Sequence, residues 1–260
     1  MFPEGFAFPA GDDSELAPEE IRKFVDEEIP ATRRSLLPAV AAHARRLTTG
    51  FDQIDEIHRE GGETLVKWIV ANYAPGRPLA ITFVCTGNSR RSMLGATLGN
   101  IAAAYYGLPE IRCSSGGTRP SAFNERTIAT LRDIGVEIEA TGTSAEAGPD
   151  GERNPVYRVR WGAPVGESLP EMTEFSKRYD DAHNPQQGFA AVLVCSEADA
   201  ACPIVKGAAL RIAMPYPDPK LYDDSEFEAR KYAERRDDIG RLMLAVMKAA
   251  RLRLVSAGKL

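Results

Sequence analysis

The sequence lacks any long apolar run. Its longest runs, at 79–85 and 190–195, are far shorter than the roughly 20 residues that a membrane-spanning helix needs. The first five residues, MFPEG, lack the basic start and apolar stretch of a secretion signal. Cysteine is also scarce, with four in 260 residues, too few for a disulfide-stapled scaffold. We therefore expect a cytoplasmic protein that makes no contact with a membrane.

An excess of basic residues is missing as well. The chain has 32 Lys and Arg against 37 Asp and Glu, a net charge of −5. Residues 79–260 are balanced, whereas residues 1–78 hold 14 acidic and 9 basic side chains. Since a nucleic-acid-binding surface needs concentrated positive charge, the composition argues against a nucleic-acid partner. The uneven charge also indicates that residues 1–78 form a separate unit.

Histidine is rare, with three in the chain. Two of them, His43 and His58, lie in the N-terminal part, and neither has a partner at the spacing typical of a metal site. We expect both to be surface or packing residues, and we expect no metal site.

The chain divides into a helical part and an α/β part. Residues 18–20 have the chemistry of a helix start, and helical periodicity runs through 36–47 and 54–73, with a break expected at Gly61-Gly62. Strands are predicted at 79–84, 111–113, 136–138, 190–195 and 210–214, and helices at 92–106, 124–134 and 225–254. This alternation favours an α/β fold with three layers, a parallel sheet of about four strands with helices on both faces. An N-terminal helical segment, 1–78, precedes it.

Residues 144–188 interrupt the alternation. They contain five prolines and five glycines, and they form a connection of unusual length. Insertions of this kind are often lids or binding loops, but a loop without function is an equally good interpretation.

The most informative motif lies between a predicted strand and a predicted helix, at Cys85-Thr86-Gly87-Asn88-Ser89-Arg90-Arg91-Ser92. A cysteine and an arginine separated by five residues let a loop wrap an oxyanion with its N–H groups and the helix start. Arg91 can bind two oxygens at once, and the same positive field favours the thiolate of Cys85. We expect the remaining loop residues to contact the oxyanion, namely Thr86, Gly87, Asn88, Ser89, Arg90 and Ser92.

The same spacing occurs a second time, from Cys113 to Arg119. This second match follows a weak strand, and Pro120 comes directly after the arginine. The first match follows a long apolar strand and begins a long helix. We therefore assign the loop to Cys85 and interpret Cys113 as a core residue at a strand end.

Residues 84–92 resemble the phosphate loop of the low-molecular-weight protein tyrosine phosphatase superfamily. Within it, the beginning Cys-Thr-Gly-Asn-Ser is most similar to thioredoxin-coupled arsenate reductases. Further similar segments lie at 115–120, 132–136, 192–203 and 216–240, so the resemblance covers about 79–143 and 189–252. It implies a catalytic domain of this type at 79–260, with an insertion at about 144–188.

The resemblance implies that Asp218, in an Asp-Pro pair, is the general acid that protonates the leaving oxygen. Lys220 stands where phosphatases of the family usually carry an aromatic residue that stacks on phosphotyrosine. Arg90 occupies the place of a second loop cysteine, and Ala96 replaces a glutamate that helps to form a cation site in some arsenate reductases. We therefore expect no potassium dependence, no metal and no organic cofactor.

Cys195 and Cys202 match a cysteine pair of the arsenate reductases in spacing and place. The implied mechanism begins with attack of Cys85 on arsenate, followed by attack of Cys195 on the Cys85 sulfur, which releases arsenite. Cys202 then displaces Cys85, and a thioredoxin-like reductant reduces the Cys195–Cys202 disulfide. This cycle implies a role in arsenic detoxification.

Two enzymatic functions stay open at this point. The loop cannot discriminate between arsenate and phosphate, because the two anions have similar shape and charge. The cysteine pair favours arsenate reduction, whereas a lid carrying Arg158 and Arg160 would favour a phosphatase acting on phosphotyrosine or a small phosphoester. A phosphoprotein-binding module is disfavoured, because nucleophile, arginine and acid are all present. The sequence does not predict the oligomeric state.

Overall fold

The computed structural model describes residues 31–149, 151–164, 170–196, 200 and 204–260. Its helices are α1 Ala31–Arg34, α2 Pro38–Leu47, α3 Glu56–Asn72, α4 Arg91–Tyr105, α5 Glu125–Arg132 and α6 Glu228–Ser256, with 3-10 turns at Thr48–Gln53 and Pro219–Tyr222. Its strands are β1 Leu79–Cys85, β2 Ile111–Gly117, β3 Glu137–Ala145, β4 Asn154–Arg160, β5 Glu171–Glu174, β6 Phe189–Leu193 and β7 Ala208–Ala213. The helix start expected at 18–20 and Cys202 lie outside the described residues.

Four parallel strands form the central sheet, in the order β2-β1-β6-β7. All five residues of β6 are buried, as are six of the seven in β1, which is the pattern of strands covered on both sides. Helices flank this sheet, and the predicted α/β fold is confirmed. The segment predicted as a strand at 136–138 does not join the parallel sheet. It leads into β3, which belongs to a second sheet.

The second sheet consists of β3, β4 and β5 in antiparallel order. Two of its three strands lie inside the range 144–188, which therefore contains regular structure rather than one long irregular connection. The sheet is mostly exposed, because in β3 every residue from Glu139 to Ser144 is exposed to solvent. Val159 and Trp161 are the buried residues through which the β4 region joins the hydrophobic core.

The N-terminal helices pack onto the α/β part. Buried residues of α2 and α3, such as Val40 and Leu65, belong to the same hydrophobic core as the parallel sheet. The expected break at Gly61-Gly62 is wrong, since α3 runs continuously from residue 56 to 72. A Cβ atom on Gly61 would lie 2.8 Å from Met214 Cγ, so the glycine lets α3 approach the segment after β7 closely. Local helix propensity is outweighed here by packing.

Helix α6 is the longest element, with 29 residues. Its buried arginines connect it to other helices: Arg236 donates to the Thr130 carbonyl of α5 at 2.9 Å, and Arg253 donates to both carboxylate oxygens of Glu63 in α3 at 2.9 Å. Charged residues of this kind keep α6 from being apolar. Among the described residues, no helix combines the length and hydrophobicity needed to cross a membrane.

Candidate active site

The Cys85 loop lies at the carboxyl end of the parallel sheet. Cys85 is the last residue of β1, and Arg91 is the first residue of α4. In open parallel sheets, ligands bind at this edge, where helix N-termini point at them. Cys85 is 4% exposed, and its Sγ lies 3.0 Å from Ser92 Oγ. The structure thus places the predicted nucleophile at the base of a loop that begins a helix.

Asn88 gives the loop its shape. Its φ of 41° lies in the left-handed region, which Asn adopts more often than most residues with a Cβ atom, and here contacts of its side chain hold it there. The buried side chain has three such contacts. Its Nδ2 donates to Ser92 Oγ at 2.9 Å and to Ser115 Oγ at 2.8 Å, and its Oδ1 accepts from the Lys177 backbone N–H at 2.8 Å.

The loop carbonyls are hydrogen bonded to the segment that follows β2. Four backbone N–H groups of that segment donate to the carbonyls of Cys85, Thr86, Gly87 and Ser89, at 2.8–3.1 Å: those of Thr118, Arg119, Ser121 and Asn124. In a trans peptide the N–H points opposite to the carbonyl. The N–H groups of Thr86, Gly87, Asn88 and Arg90 therefore lie on the other side of these peptide planes. N–H groups of successive residues on one side of a loop are the kind of donor set that suits an oxyanion.

Arg91 joins the loop to Asp218. The guanidinium is almost completely buried, and it donates from Nη1 to the Tyr216 carbonyl at 2.8 Å and from Nη2 to Asp218 Oδ2 at 2.5 Å. The other carboxylate oxygen of Asp218 accepts from the Lys220 backbone N–H at 3.0 Å, so Asp218 caps the following 3-10 turn. The structure thereby brings three residues predicted from the sequence, Cys85, Arg91 and Asp218, to one place.

Helix α3 also reaches this site. The His58 ring stacks on the Tyr216 ring with centroids 4.0 Å apart, and Asp55 holds His58 Nδ1 at 2.7 Å. From α6, Arg235 donates to the Pro217 carbonyl at 3.0 Å. Burial raises the pKa of Tyr216 well above its ordinary value, so the phenol stays neutral. The segment that carries Asp218 is therefore packed between α3 and α6, and His58 is a packing residue, one of the two roles expected for it.

The side chain of Arg90 does not extend over the loop. Its Nε donates to Tyr232 Oη at 2.7 Å, and its Nη2 lies 3.0 Å from Asp223 Oδ2. Burial raises the pKa of Tyr232 to about 12, so this phenol stays protonated and donates a hydrogen bond to Asp223. The sequence predicted that Arg90 contacts the oxyanion. Instead it connects the loop to the N-terminal end of α6.

Cys195 lies two residues after β6, beside the loop. It is fully buried, and its Sγ lies 3.6 Å from the Oγ1 of Thr86, the residue that follows Cys85. Strands β1 and β6 are direct neighbours, and adjacent strands are about 4.8 Å apart. The Cys195 sulfur therefore lies beside the loop and contacts the side chain of Thr86. The partner predicted for it, Cys202, lies outside the described residues.

Cys113 lies in the core, as expected. It is buried in β2, and burial raises its pKa far above the ordinary value, so the thiol is protonated and unreactive. A Cβ atom on Gly99 would lie 2.7 Å from its sulfur, which shows how closely α4 covers it.

A family model agrees with this geometry. Residues 80–148 match the model of the low molecular weight phosphotyrosine protein phosphatases. The match includes the whole Cys85 loop and confirms the resemblance inferred from its residues. No curated protein is similar enough in sequence to count as a match.

Solved structures are also similar to this chain. A low molecular weight phosphotyrosine phosphatase from Vibrio cholerae is 14% identical, with a TM-score of 0.36, covering 69% of this chain and 96% of its own. A low molecular weight protein tyrosine phosphatase from Bacillus subtilis is 15% identical, with a TM-score of 0.39, covering 68% and 98%. A thioredoxin-dependent arsenate reductase from Corynebacterium glutamicum is 13% identical, with a TM-score of 0.37, covering 88% and 86%. Similarities this weak do not assign an activity to the chain.

The second sheet contributes residues to the loop that the sequence analysis missed. Ser176 Oγ donates to the Gly87 carbonyl at 2.9 Å, next to the Lys177 bond to Asn88. The segment 174–177 has no motif or periodicity, so no sequence signal could have identified it. The expected lid arginines, by contrast, form surface ion pairs within the sheet, Arg158 with Glu139 and Arg160 with Glu137.

A cleft of about 480 Å³ begins beside the loop. Its wall includes Ser89 and Arg90 from the loop, Phe123 and Tyr157 as an edge-to-face aromatic pair, and Lys220 from the Asp218 turn. A group larger than an inorganic anion fits into this volume. Among the described residues, no group of three or more His, Cys, Asp or Glu side chains is close enough to hold a metal ion.

Proposed function

We propose that this protein reduces arsenate to arsenite with Cys85 as nucleophile, Cys195 as second thiol and Cys202 as the thiol that closes the cycle. The family domain is that of an enzyme, a phosphatase or an arsenate reductase. Both activities begin with a tetrahedral oxyanion held by the loop and attacked by a thiolate. The two activities differ in what happens to the covalent adduct on Cys85.

The first step uses Cys85, Arg91 and Asp218. The loop N–H groups and Arg91 hold arsenate, and the Cys85 thiolate forms a bond to arsenic while an As–O bond breaks. Asp218 delivers the proton with which that oxygen leaves as water. Arg91 Nη2 binds Asp218, so an anion that takes over this donor frees the carboxyl group for proton transfer.

The second step is a reduction. The Cys195 thiolate attacks the Cys85 sulfur, forming the S–S bond and breaking the S–As bond. The electron pair of the broken bond stays on arsenic, which leaves as arsenite, and two thiols become one disulfide. Cys202 then attacks Cys195 and releases Cys85 as a thiolate. A dithiol reductant of the thioredoxin class supplies the two electrons that reduce the Cys195–Cys202 disulfide.

The contact between Cys195 and Thr86 is the observation that supports reduction most strongly. A phosphatase needs no second thiol, whereas here one lies at the end of the strand next to the nucleophile's strand, against the loop itself.

The test is an assay of purified protein with arsenate, thioredoxin, thioredoxin reductase and NADPH. We expect arsenate-dependent NADPH consumption that Cys85→Ser and Cys195→Ser abolish. Cys113→Ser is the matched control and leaves the rate unchanged, because Cys113 is a core residue. Cys202→Ser should give one arsenite per enzyme and a trapped Cys85–Cys195 disulfide in peptide mapping. Sustained turnover by Cys202→Ser would refute the assignment of the pair.

The alternative is a phosphatase acting on phosphotyrosine or a small phosphoester. It is favoured by the cleft beside the loop, which has room for an organic group larger than an inorganic anion. An aryl phosphate assay run in parallel separates the two functions. Phosphate release that survives Cys195→Ser but not Cys85→Ser would favour the phosphatase.

A further inference from the structure

We infer that Glu174, the last residue of β5, and Lys177, in the segment after it, are positioning residues that hold Asn88 in its left-handed conformation and so keep the loop ready for an oxyanion. The inference rests on the part of the proposed function that assigns oxyanion binding to the Cys85 loop. It gives the region 144–188 a definite role, which is to brace the loop rather than to cover it.

The chain from 174 to 179 runs along the end of β2 and touches the loop at two residues. Lys177 O accepts from Gly117 N–H at 2.9 Å, and Tyr179 N–H donates to Gly117 O at 3.0 Å. A Cβ atom on Gly116 would lie 2.4 Å from Tyr179 Cα, so the two backbones could not approach this closely with another residue there. The segment is therefore fixed to the parallel sheet and not free to act as a lid.

Glu174 and Lys177 form an ion pair inside the protein. Their side chains are 1% and 4% exposed, and Lys177 Nζ lies 2.8 Å from Glu174 Oε2. The same carboxylate oxygen accepts from Ser115 Oγ at 2.9 Å. A buried ion pair often adds little to stability compared with apolar residues of the same size. The consequence that we infer for this pair is therefore the orientation of the groups that it binds.

The donors and acceptors fix the orientation of the Asn88 amide. A backbone N–H can only donate, so the atom of Asn88 that faces Lys177 N–H must be the oxygen. The Nδ2 group then faces Ser115, which can accept because its own hydrogen is directed to Glu174. The competing acceptor for that hydrogen, Met93 Sδ, is a weaker one and lies farther away, at 3.3 Å.

The effect continues to the nucleophile. Asn88 Nδ2 donates its second hydrogen to Ser92 Oγ, which leaves the Ser92 hydrogen free to point at Cys85 Sγ, 3.0 Å away. A hydroxyl that donates to sulfur stabilises the thiolate form. Glu174 and Lys177 thus act on two properties of the site, the direction of the loop N–H groups through the Asn88 backbone and the hydrogen bond to the sulfur.

The experiment measures arsenate and phosphate affinity by calorimetry in Glu174→Gln/Lys177→Met, a double variant without net charge change. We expect the affinity to fall by about tenfold, the effect of one well-placed hydrogen bond, with little change in the thermal midpoint. Glu139→Gln/Arg158→Met is the matched control, because it removes an exposed ion pair within the second sheet, and it should leave affinity unchanged. Ser115→Ala removes the hydroxyl that connects Glu174 to Asn88 but keeps the ion pair, and it should reproduce the loss of anion affinity. This variant keeps the test decisive if the double variant does not fold.

A double-mutant cycle with Asn88→Gly tests whether the ion pair acts on anion affinity through the Asn88 side chain. Glycine tolerates the left-handed conformation but lacks the side chain that Ser115 and Lys177 hold. In that background the Glu174→Gln/Lys177→Met change should have no further effect on affinity, whereas a role elsewhere in the fold would give additive losses. Unchanged affinity in a folded pair variant, or additivity in the cycle, would overturn the inference. Absence of anion binding in the unaltered protein would instead overturn the proposed function.

Discussion

The two sheets of this protein differ in burial, and the difference shows where each can contribute to chemistry. In the parallel sheet, β6 is buried along its whole length, so the carboxyl ends of its strands are the places where side chains can meet a ligand. The antiparallel sheet exposes most of β3 and contacts the site at one end, through the segment after β5. The first sheet supplies the reacting groups, and the second supplies support.

The largest effect should come from the centre of the parallel sheet. Phe83 is 1% exposed and packs against Gly95 of α4, so Phe83→Ala should lower the free energy of unfolding by about 3–5 kcal/mol. The half-buried Tyr157 of β4 is the matched position in the second sheet, and Tyr157→Ala should lower it by about 1–2 kcal/mol. Chemical denaturation measures both. Equal losses would contradict the contrast between the sheets.

A smaller effect is expected where the sheets meet, at Asn88. Asn88→Ala should lower the free energy of unfolding by about 2–3 kcal/mol, because it removes three hydrogen bonds and leaves a Cβ atom in the left-handed region. Asn88→Gly loses the same hydrogen bonds without that backbone cost, and it should be about 1 kcal/mol more stable than the alanine variant. If the two variants unfold at the same denaturant concentration, the backbone is not strained.

The ion pairs around the parallel sheet offer a further comparison. Asp237 of α6 contacts His43 and Arg46 of α2, and it also binds Arg236. Burial by itself raises the pKa of Asp237, but the hydrogen bonds with His43 and Arg236 outweigh it and hold that pKa well below its ordinary value of 3.8. Asp237→Asn should therefore cost about 1–2 kcal/mol at neutral pH.

The pH dependence of this variant has a definite sign. A carboxyl group with a lowered pKa in the folded state contributes its full stability above the ordinary pKa, and loses it as the pH falls toward the folded-state pKa. The difference between Asp237→Asn and the unaltered protein should therefore be constant from neutral pH down to about 5 and shrink below pH 4. A difference that grows on acidification would contradict the assignment.

The smallest effect is expected on the second sheet. Arg160 and Glu137 are both about half exposed, and surface ion pairs of this kind contribute little. Arg160→Ala should change the free energy of unfolding by less than about 0.5 kcal/mol, and it should leave anion affinity unchanged. A marked loss of anion affinity would show that the exposed arginines of this sheet take part in binding after all.

The sequence predicted the parallel sheet and the Cys85 loop because both are encoded locally. Apolar strands such as 79–85, and a loop whose chemistry is contained in eight consecutive residues, can be recognised without knowledge of tertiary contacts. The break expected at Gly61-Gly62 failed because Met214, 153 positions later, requires glycine for packing. The contact of Lys177 with the loop was not predicted for a similar reason, since it joins Lys177 to Asn88, 89 positions earlier in the sequence.

The second sheet was not predicted because its strands contain residues that are typical of loops. β4 contains Pro155 together with Arg158 and Arg160, and β3 contains Gly142 with a φ of 83° at an irregularity in its pairing. Strands with one exposed face and interrupted pairing lack a clear period of two. The prolines and glycines that suggested an irregular connection therefore lie partly within a sheet.

The central claim is that the Cys85 loop holds a tetrahedral oxyanion against a reactive sulfur. Site-resolved alkylation tests it most directly, with iodoacetamide at neutral pH, with and without arsenate, and mass spectrometry of each cysteine peptide. The account predicts that Cys85 reacts first, that Cys113 does not react in the folded protein, and that arsenate protects Cys85. Labelling of Cys85 that is no faster than that of Cys113, or that arsenate leaves unchanged, would contradict it.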